Sequence, residues 1–333
     1  MLRVYLDQNK WIDLARAATG HPAGARYTEA LDAARTAVGA GTASFPLDMF
    51  RYAETGKRSD DRSRNDVANV MIELSNRHTM APGRYVLPAE LDHALKARYG
   101  HPKEPRHREV FGTGIRHLTN GQVMLPELDI SLLRSSGNDI DVADYPRIQE
   151  IYSQLLEADL MRAGPAIARS AGVVTDTRHL DQQYIDYENK IASEIRARGL
   201  SGDMLDLAVR ASDLGDIRSA VTEAVEAIGL TWDRFVEDLG PAGLVGFMDD
   251  LPTRQVTNVM RGAKLRQTEQ KWELHDLNDI LGLAVAAAYC DVVVTEKQWA
   301  HRFTQAKIEA RYGTTILRSV ADLTAVLQRA ATA

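Results

Sequence analysis

Cysteine is nearly absent: Cys290 is alone in 333 residues, which excludes an intramolecular disulfide and a cysteine-built zinc site. A reducing compartment, the cytoplasm, is therefore the expectation. Aromatic residues make up only 6%, so the core must rest on aliphatic side chains and alanine. No apolar run approaches the ~20 residues of a bilayer-crossing helix, and Leu283 to Cys290 falls far short. The chain opens on Leu2-Arg3-Val4-Tyr5-Leu6-Asp7, which reads as a strand rather than a charged leader followed by an apolar segment. Internal repeats and low-complexity tracts are missing too, which excludes solenoids and disordered linkers. Glu54-Thr55-Gly56-Lys57-Arg58 contains Gly-Lys without the glycine spacing of a phosphate-cradling loop. Asp7-Gln8-Asn9 lacks the second aspartate two residues on that an aspartyl-phosphate phosphatase needs.

What is present is the composition of a globular protein, 44% hydrophobic and 26% charged, of a length that suits one enlarged domain or two. The net charge of −6 is unevenly spread. Residues 121–250 carry 11 basic and 24 acidic side chains, net −13, whereas 51–120 carry 13 and 9 and 251–333 carry 11 and 8. Such asymmetry points either to a solvated acidic face or to a partner surface.

Apolar periodicity predicts strand Arg3–Asp7, then a helix from Asn9 burying Trp11, Leu14, Ala15 and Ala18. A second helix over Tyr27 to Val38 would bury Ala30, Leu31, Ala34 and Val38. A brief extended segment at Ser44-Phe45-Pro46-Leu47 precedes a helix from Asp48. Helical pattern then dominates, with short extended candidates at Arg84–Leu87 and Gln122–Leu125 and a break at Gly240-Pro241-Ala242-Gly243. The C-terminal part reads helix Leu277–Tyr289, strand Asp291–Thr295, helix Trp299–Tyr312, strand Thr314–Leu317 and a final helix. Strand and helix alternate at both ends, which predicts an α/β fold with a central parallel sheet. Residues 1–99 and 266–333 would be its two halves, and 100–265 a large, mostly helical insertion.

In a parallel α/β sheet, chemistry gathers at the carboxyl ends of strands. Asp7 ends the first strand, Glu296 follows the strand Asp291–Thr295, and Glu54 lies early in the helix after the second strand. Asp276 and Asp279 share one face at the start of the Leu277–Tyr289 helix. Carboxylates converging on one crevice require cations among them, and hard oxygen donors suit Mg²⁺ or Mn²⁺. Each also has a plainer role: Asp7 and Glu296 as helix caps, Asp276 as a complement to a helix N-terminus, Glu54 as a solvated side chain. Lys57 and Arg58, with Arg62 and Arg64, would contact a substrate backbone or simply face water. Trp272 and Trp299 suit base stacking or core packing.

Val4-Tyr5-Leu6-Asp7-Gln8-Asn9-Lys10-Trp11-Ile12-Asp13-Leu14 resembles the opening strand and helix of PIN-domain nucleases. Asp279-Ile280-Leu281-Gly282-Leu283-Ala284-Val285-Ala286, followed by Val292-Val293-Val294-Thr295-Glu296, is similar to that family's later acidic helix and threonine-ended strand. The resemblance covers roughly residues 1–60 and 274–320. It implies a PIN-like fold and a Mg²⁺- or Mn²⁺-dependent ribonuclease, with Asp7, Glu54, Asp279 and Glu296 as ligands and Asn9 and Thr295 supporting them. RNA is the implied substrate. The family more often has aspartate or asparagine two residues after the threonine, where this chain has Lys297. Two other functions fit the same residues: an inactive PIN-like scaffold whose insertion binds an inhibitory or assembly protein, and a DNA-directed structure-specific nuclease. Toxin-like or phage-defence duty enters by analogy alone.

Overall fold

The computed structural model describes residues 1–100, 110–129, 131, 141–166, 178–267 and 271–332. Parts of the expected insertion, 101–109, 130, 132–140 and 167–177, thus lie outside the described residues. The first half contains β1 (Leu2–Leu6), α1 (Gln8–Ala18), α2 (Thr28–Gly39), β2 (Ala43–Ser44), α3 (Met49–Gly56), α4 (Asp61–Ser75), β3 (His78–Met80), α5 (Gly83–Tyr99), β4 (Phe111–Thr113), α6 (Gly114–Leu118) and α7 (Tyr145–Arg162). There follow α8 (Arg178–Ala197), α9 (Gly202–Asp216), α10 (Arg218–Ala227), α11 (Trp232–Asp249), α12 (Pro252–Leu265) and α13 (Leu274–Tyr289). The chain ends with β5 (Val292–Val294), α14 (Lys297–Gln305), α15 (Ile308–Tyr312), β6 (Thr315–Leu317) and α16 (Leu323–Thr332). The fold is α/β and helix-rich. It divides into two compact units, Met1–Ala81 with Phe111–Thr175 and Val320–Ala333, and Pro82–Val110 with Asp176–Ser319.

In the first unit β1 and β2 run parallel, Leu2 opposite Ala43 and Arg3 opposite Ser44. Val4, Tyr5 and Leu6 are all buried, the unbroken burial of a strand covered on both faces. Helix α1 buries Trp11, Leu14 and Ala15 against α2 and α4. Ala18, expected in that stripe, is exposed at the helix end, and on α2 the last buried position is Ala37, with Val38 only half-covered. Gly24 has no substitute: a Cβ there would stand 2.3 Å from the backbone nitrogen of Ala17, so the turn after α1 touches that helix backbone to backbone. The antiparallel pair β3–β4 went unforeseen, because three-residue strands carry too little alternation to register. β3 also stitches the Leu47 segment in place, through Leu47 N to His78 O (3.0 Å) and Met80 N to Leu47 O (2.9 Å). Gln122–Leu125 forms no strand.

In the second unit β5 and β6 run parallel, Val292 opposite Thr315 and Val294 opposite Leu317. Arg84–Leu87 is helical, within α5, because Leu87, Leu91 and Leu95 pack on Val221, Val225, Phe235 and Phe247 of α10 and α11. Burial there outweighs local β-propensity and Pro88. Gly240, at φ 58°, kinks α11 where a break was expected. The single helix expected over Trp299–Tyr312 is two, because Lys307 adopts a left-handed conformation at φ 56°. Phe303 and Ile308 are both fully buried, and five helical residues would turn them roughly 140° apart, so the break lets both face the core.

The acidic middle block is answered inside this unit. Asp213 is fully buried on α9 and accepts from Arg254 Nε at 3.0 Å and Asn258 Nδ2 at 3.1 Å, both on α12. Glu188 of α8, also fully buried, pairs with Arg261 at 2.8 Å. Burial and the neighbouring Arg261 charge hold Arg254 down to about 10. Glu90 of α5 accepts from Thr253 N (2.9 Å), Thr253 Oγ1 (2.7 Å) and Tyr289 OH (2.8 Å) at the first turn of α12. Burial nevertheless raises its carboxyl above the usual range.

Candidate functional site

Strand β1 delivers Asp7 at its carboxyl end, 4% exposed, where Oδ1 accepts from Gln8 N at 2.8 Å and caps α1. The same oxygen accepts from Arg51 Nη1 at 2.5 Å. Arg51 points inward from α3 and is 1% exposed. Its Nε lies 3.7 Å from Asp48 Oδ1 and its Nη2 3.6 Å from Glu54 Oε1. Asp48 caps α3 by accepting from Arg51 N at 2.8 Å, and its Oδ2 accepts from Tyr5 OH at 2.7 Å. Three carboxylates therefore surround one guanidinium, a formal −2. Burial works against the Arg51 charge, yet Tyr5, Asp48, Asp7 and Glu54 together hold it well above the ordinary arginine value. Burial also pushes Tyr5 well up, keeping its hydroxyl a donor to Asp48.

Asp48 and Arg51 were not singled out from the sequence. The signal was available for Asp48, since it follows the second parallel strand segment much as Asp7 follows the first. Arg51 gave none: an arginine early in a helix reads as solvated until a strand-end aspartate is known to face it.

In the second unit, α13 begins with a capping box between Glu273 and Asp276. Both Asp276 oxygens are engaged: Lys264 Nζ lies 2.9 and 2.8 Å from them, and Glu273 N donates to Oδ2 at 2.8 Å. One turn on, Asp279 accepts from Trp299 Nε1 at 3.1 Å. Trp272 and Trp299 are buried, at 3% and 2% exposure, which settles them as packing residues. Thr295 is fully buried at the end of β5, its N–H donating to Leu317 O at 3.0 Å. Glu296 is exposed at the N-cap position of α14, without a side-chain cap. Asn9 is exposed in the first turn of α1.

The basic run after Glu54 separates into distinct roles. Lys57 is exposed at the end of α3. Arg58 donates to Ser63 Oγ at 2.6 Å and lines, with Arg16, His21 and Arg62, a pocket of about 250 Å³. Arg64 is buried and structural, donating to the carbonyls of Arg58 and Arg162 at 2.7 and 2.9 Å.

The oxygen donors and surplus negative charge around Arg51 suit a hard divalent cation in chemistry. In arrangement, no group of three or more His, Cys, Asp or Glu among the described residues is placed to hold a metal ion. The cation that Asp7 Oδ1 contacts is the Arg51 guanidinium. No helix among the described residues is long and apolar enough to cross a membrane.

Comparison with family models, with curated proteins and with solved structures finds no match to this chain. The likeness to PIN-domain nucleases rests on its residues alone.

Proposed function

We propose that the chain is a PIN-like ribonuclease, cutting RNA phosphodiester bonds with Mg²⁺ or Mn²⁺ held by acidic residues, for which Asp7, Glu54, Asp279 and Glu296 are the candidates. The observation that carries this is the surplus of carboxylate over guanidinium around Arg51, at the carboxyl end of a parallel strand. A divalent ion held by these carboxylates would supply an activated water and offset charge on the phosphoryl oxygens. Arg51 fixes Asp7 and Glu54 so that neither relaxes into solvent. Trp299 orients Asp279 through its indole N–H. Thr295 supports the strand end that precedes Glu296, and Asn9 stands two residues after Asp7. Arg58, in the pocket with Arg16 and Arg62, and exposed Lys57 beside it in sequence meet backbone phosphates. Asp276, saturated by Lys264 and the Glu273 backbone, serves the start of α13 instead.

Labelled RNA and DNA incubated with Mg²⁺, Mn²⁺ or EDTA test the proposal. RNA is cut with either metal, spared in EDTA, and spared by Asp7→Asn and by Asp279→Asn. Cleavage that survives EDTA, or survives in both variants, refutes the metal mechanism. Equal or faster cutting of DNA moves the activity to the DNA-directed class.

A second function, the inactive scaffold, is favoured by one observation: Arg51 on Asp7 and Lys264 on Asp276 are built-in cations already in place. Absence of cleavage under every condition, with a folded protein and a captured protein partner, decides for it.

A further inference from the structure

Helices α9, α12 and α14 enclose a pocket of about 460 Å³ in the second unit, within the size range of small-ligand sites. Three guanidinium side chains line it, Arg210, Arg266 and Arg302, against one carboxylate, Asp206. Arg210 is engaged by Asp249 at 2.9 Å, and Arg266 by Asp206. Arg302 has no carboxylate partner among the described residues; its guanidinium lies 5.7 Å from the Trp299 ring. Burial, and then the Arg266 charge, lower its pKa, so the site already has more positive charge than it neutralises.

The same pocket holds two unused acceptors. Asn258, 4% exposed, lines it, and its Oδ1 has no hydrogen-bond partner among the described residues; Gln267 Oε1 is in the same position. The Asn258 amide cannot be the other way round, because Nδ2 donates to the Asp213 carboxylate at 3.1 Å, which fixes Oδ1 opposite. Buried acceptors left without donors are costly, so a ligand bringing hydroxyl groups gains by entering.

We propose that this pocket is a nucleotide subsite for an RNA strand, in which Arg302 and Arg266 hold a backbone phosphate and Asn258 and Gln267 accept from the ribose 2′-hydroxyl. The inference rests on the ribonuclease proposal and deepens it by placing part of the substrate on the second unit. A bare oxyanion uses only the guanidinium half of the pocket, and DNA lacks the hydroxyl that the amide oxygens can receive. The tryptophan under Arg302 also donates to Asp279, so the subsite and the proposed catalytic carboxylate share one side chain.

Fluorescence anisotropy with labelled single-stranded RNA in EDTA, with matched DNA, inorganic phosphate and polyglutamate as comparisons, tests it in the full chain. Arg302→Gln is expected to weaken RNA binding about tenfold and to lower the slope of log affinity against log salt by about 0.7, the loss of one phosphate contact. Arg302→Lys keeps most of the slope, and circular dichroism confirms that both variants fold. Gln267→Leu reduces the preference for RNA over DNA while leaving DNA affinity in place. Unchanged affinity and slope in Arg302→Gln overturn the inference, as does an equal loss in Arg302→Lys. So do stronger binding of polyglutamate than RNA, and competition by inorganic phosphate at concentrations as low as those of RNA. RNA bound through Arg302 but never cut leaves the subsite standing and removes the nuclease. RNA cut with Mg²⁺ but bound independently of Arg302 does the reverse.

Discussion

Each unit buries a knot of charge, and the two knots are made differently. In the second unit Asp213, Glu188 and the partly exposed Asp216 face Arg254 and Arg261, a formal −1, and the acids bond to α12, which packs through the middle of that unit. In the first, Asp7, Asp48 and Glu54 face Arg51 alone, a formal −2. A set nearer balance is a structural fastener, complete as it stands. An unbalanced set at a strand end has capacity left over, and that residue of charge, rather than burial or pairing as such, marks the candidate for chemistry.

The largest expected effect comes from breaking the knot nearer balance. Asp213→Ala takes the carboxylate from Arg254, and one of three from Arg261, and should cost about 3–5 kcal/mol in urea unfolding. A loss below ~1 kcal/mol would show that Arg254 is served by other partners. Arg51→Met worsens the unbalanced knot instead. Its stability should fall by about 3 kcal/mol in EDTA. Added Mn²⁺ should then raise its melting temperature more than that of the parent chain. A melting temperature blind to Mn²⁺ in both proteins favours the scaffold.

A smaller, pH-dependent effect attaches to Glu90. Burial raises its folded-state pKa above the ordinary 4.5, so the folded chain binds that proton more tightly than the unfolded one. On this account stability falls as pH climbs from 4.5 through the folded value, and is fully present below 4.5. Urea midpoints measured across that window should slope less in Glu90→Gln; an identical slope removes Glu90 as the cause. Smallest is Trp299→Phe, which keeps the packing but loses the indole bond to Asp279, at about 1 kcal/mol. On the ribonuclease proposal it lowers cleavage more than stability.

Much of the skeleton could be read in advance. β1, α1, α2, α13, β5 and β6 stand close to where the apolar pattern puts them: α1 and α2 bury residues at helical spacing, while β1 and β5 are short, unbroken apolar runs. The misses have physical causes. Arg84–Leu87 looks extended residue by residue, but its partners Val221, Phe235 and Phe247 lie more than a hundred residues on and impose a helix. Lys307 breaks a helix without glycine or proline, so no local cue marks it. Site residues divide in the same way. Asp7 was visible because strand ends are legible, and Glu54 because it falls early in the helix after the second strand. Arg51 and Arg302 were not, because an arginine reveals its role only by what surrounds it. The −13 of the middle block looked like a surface property, whereas one of its buried members, Glu157, pairs with Arg77, and two others, Glu188 and Asp213, pair with arginines just beyond the block's end.

That last pairing has an order in time. A ribosome releases Glu188 and Asp213 before it has made Arg254 and Arg261, and an acid without a counterion resists leaving water. Until α12 follows, Glu188 and Asp213 lack the counterions that their burial needs. The docking of α8 and α9 thus depends on one later, cationic segment.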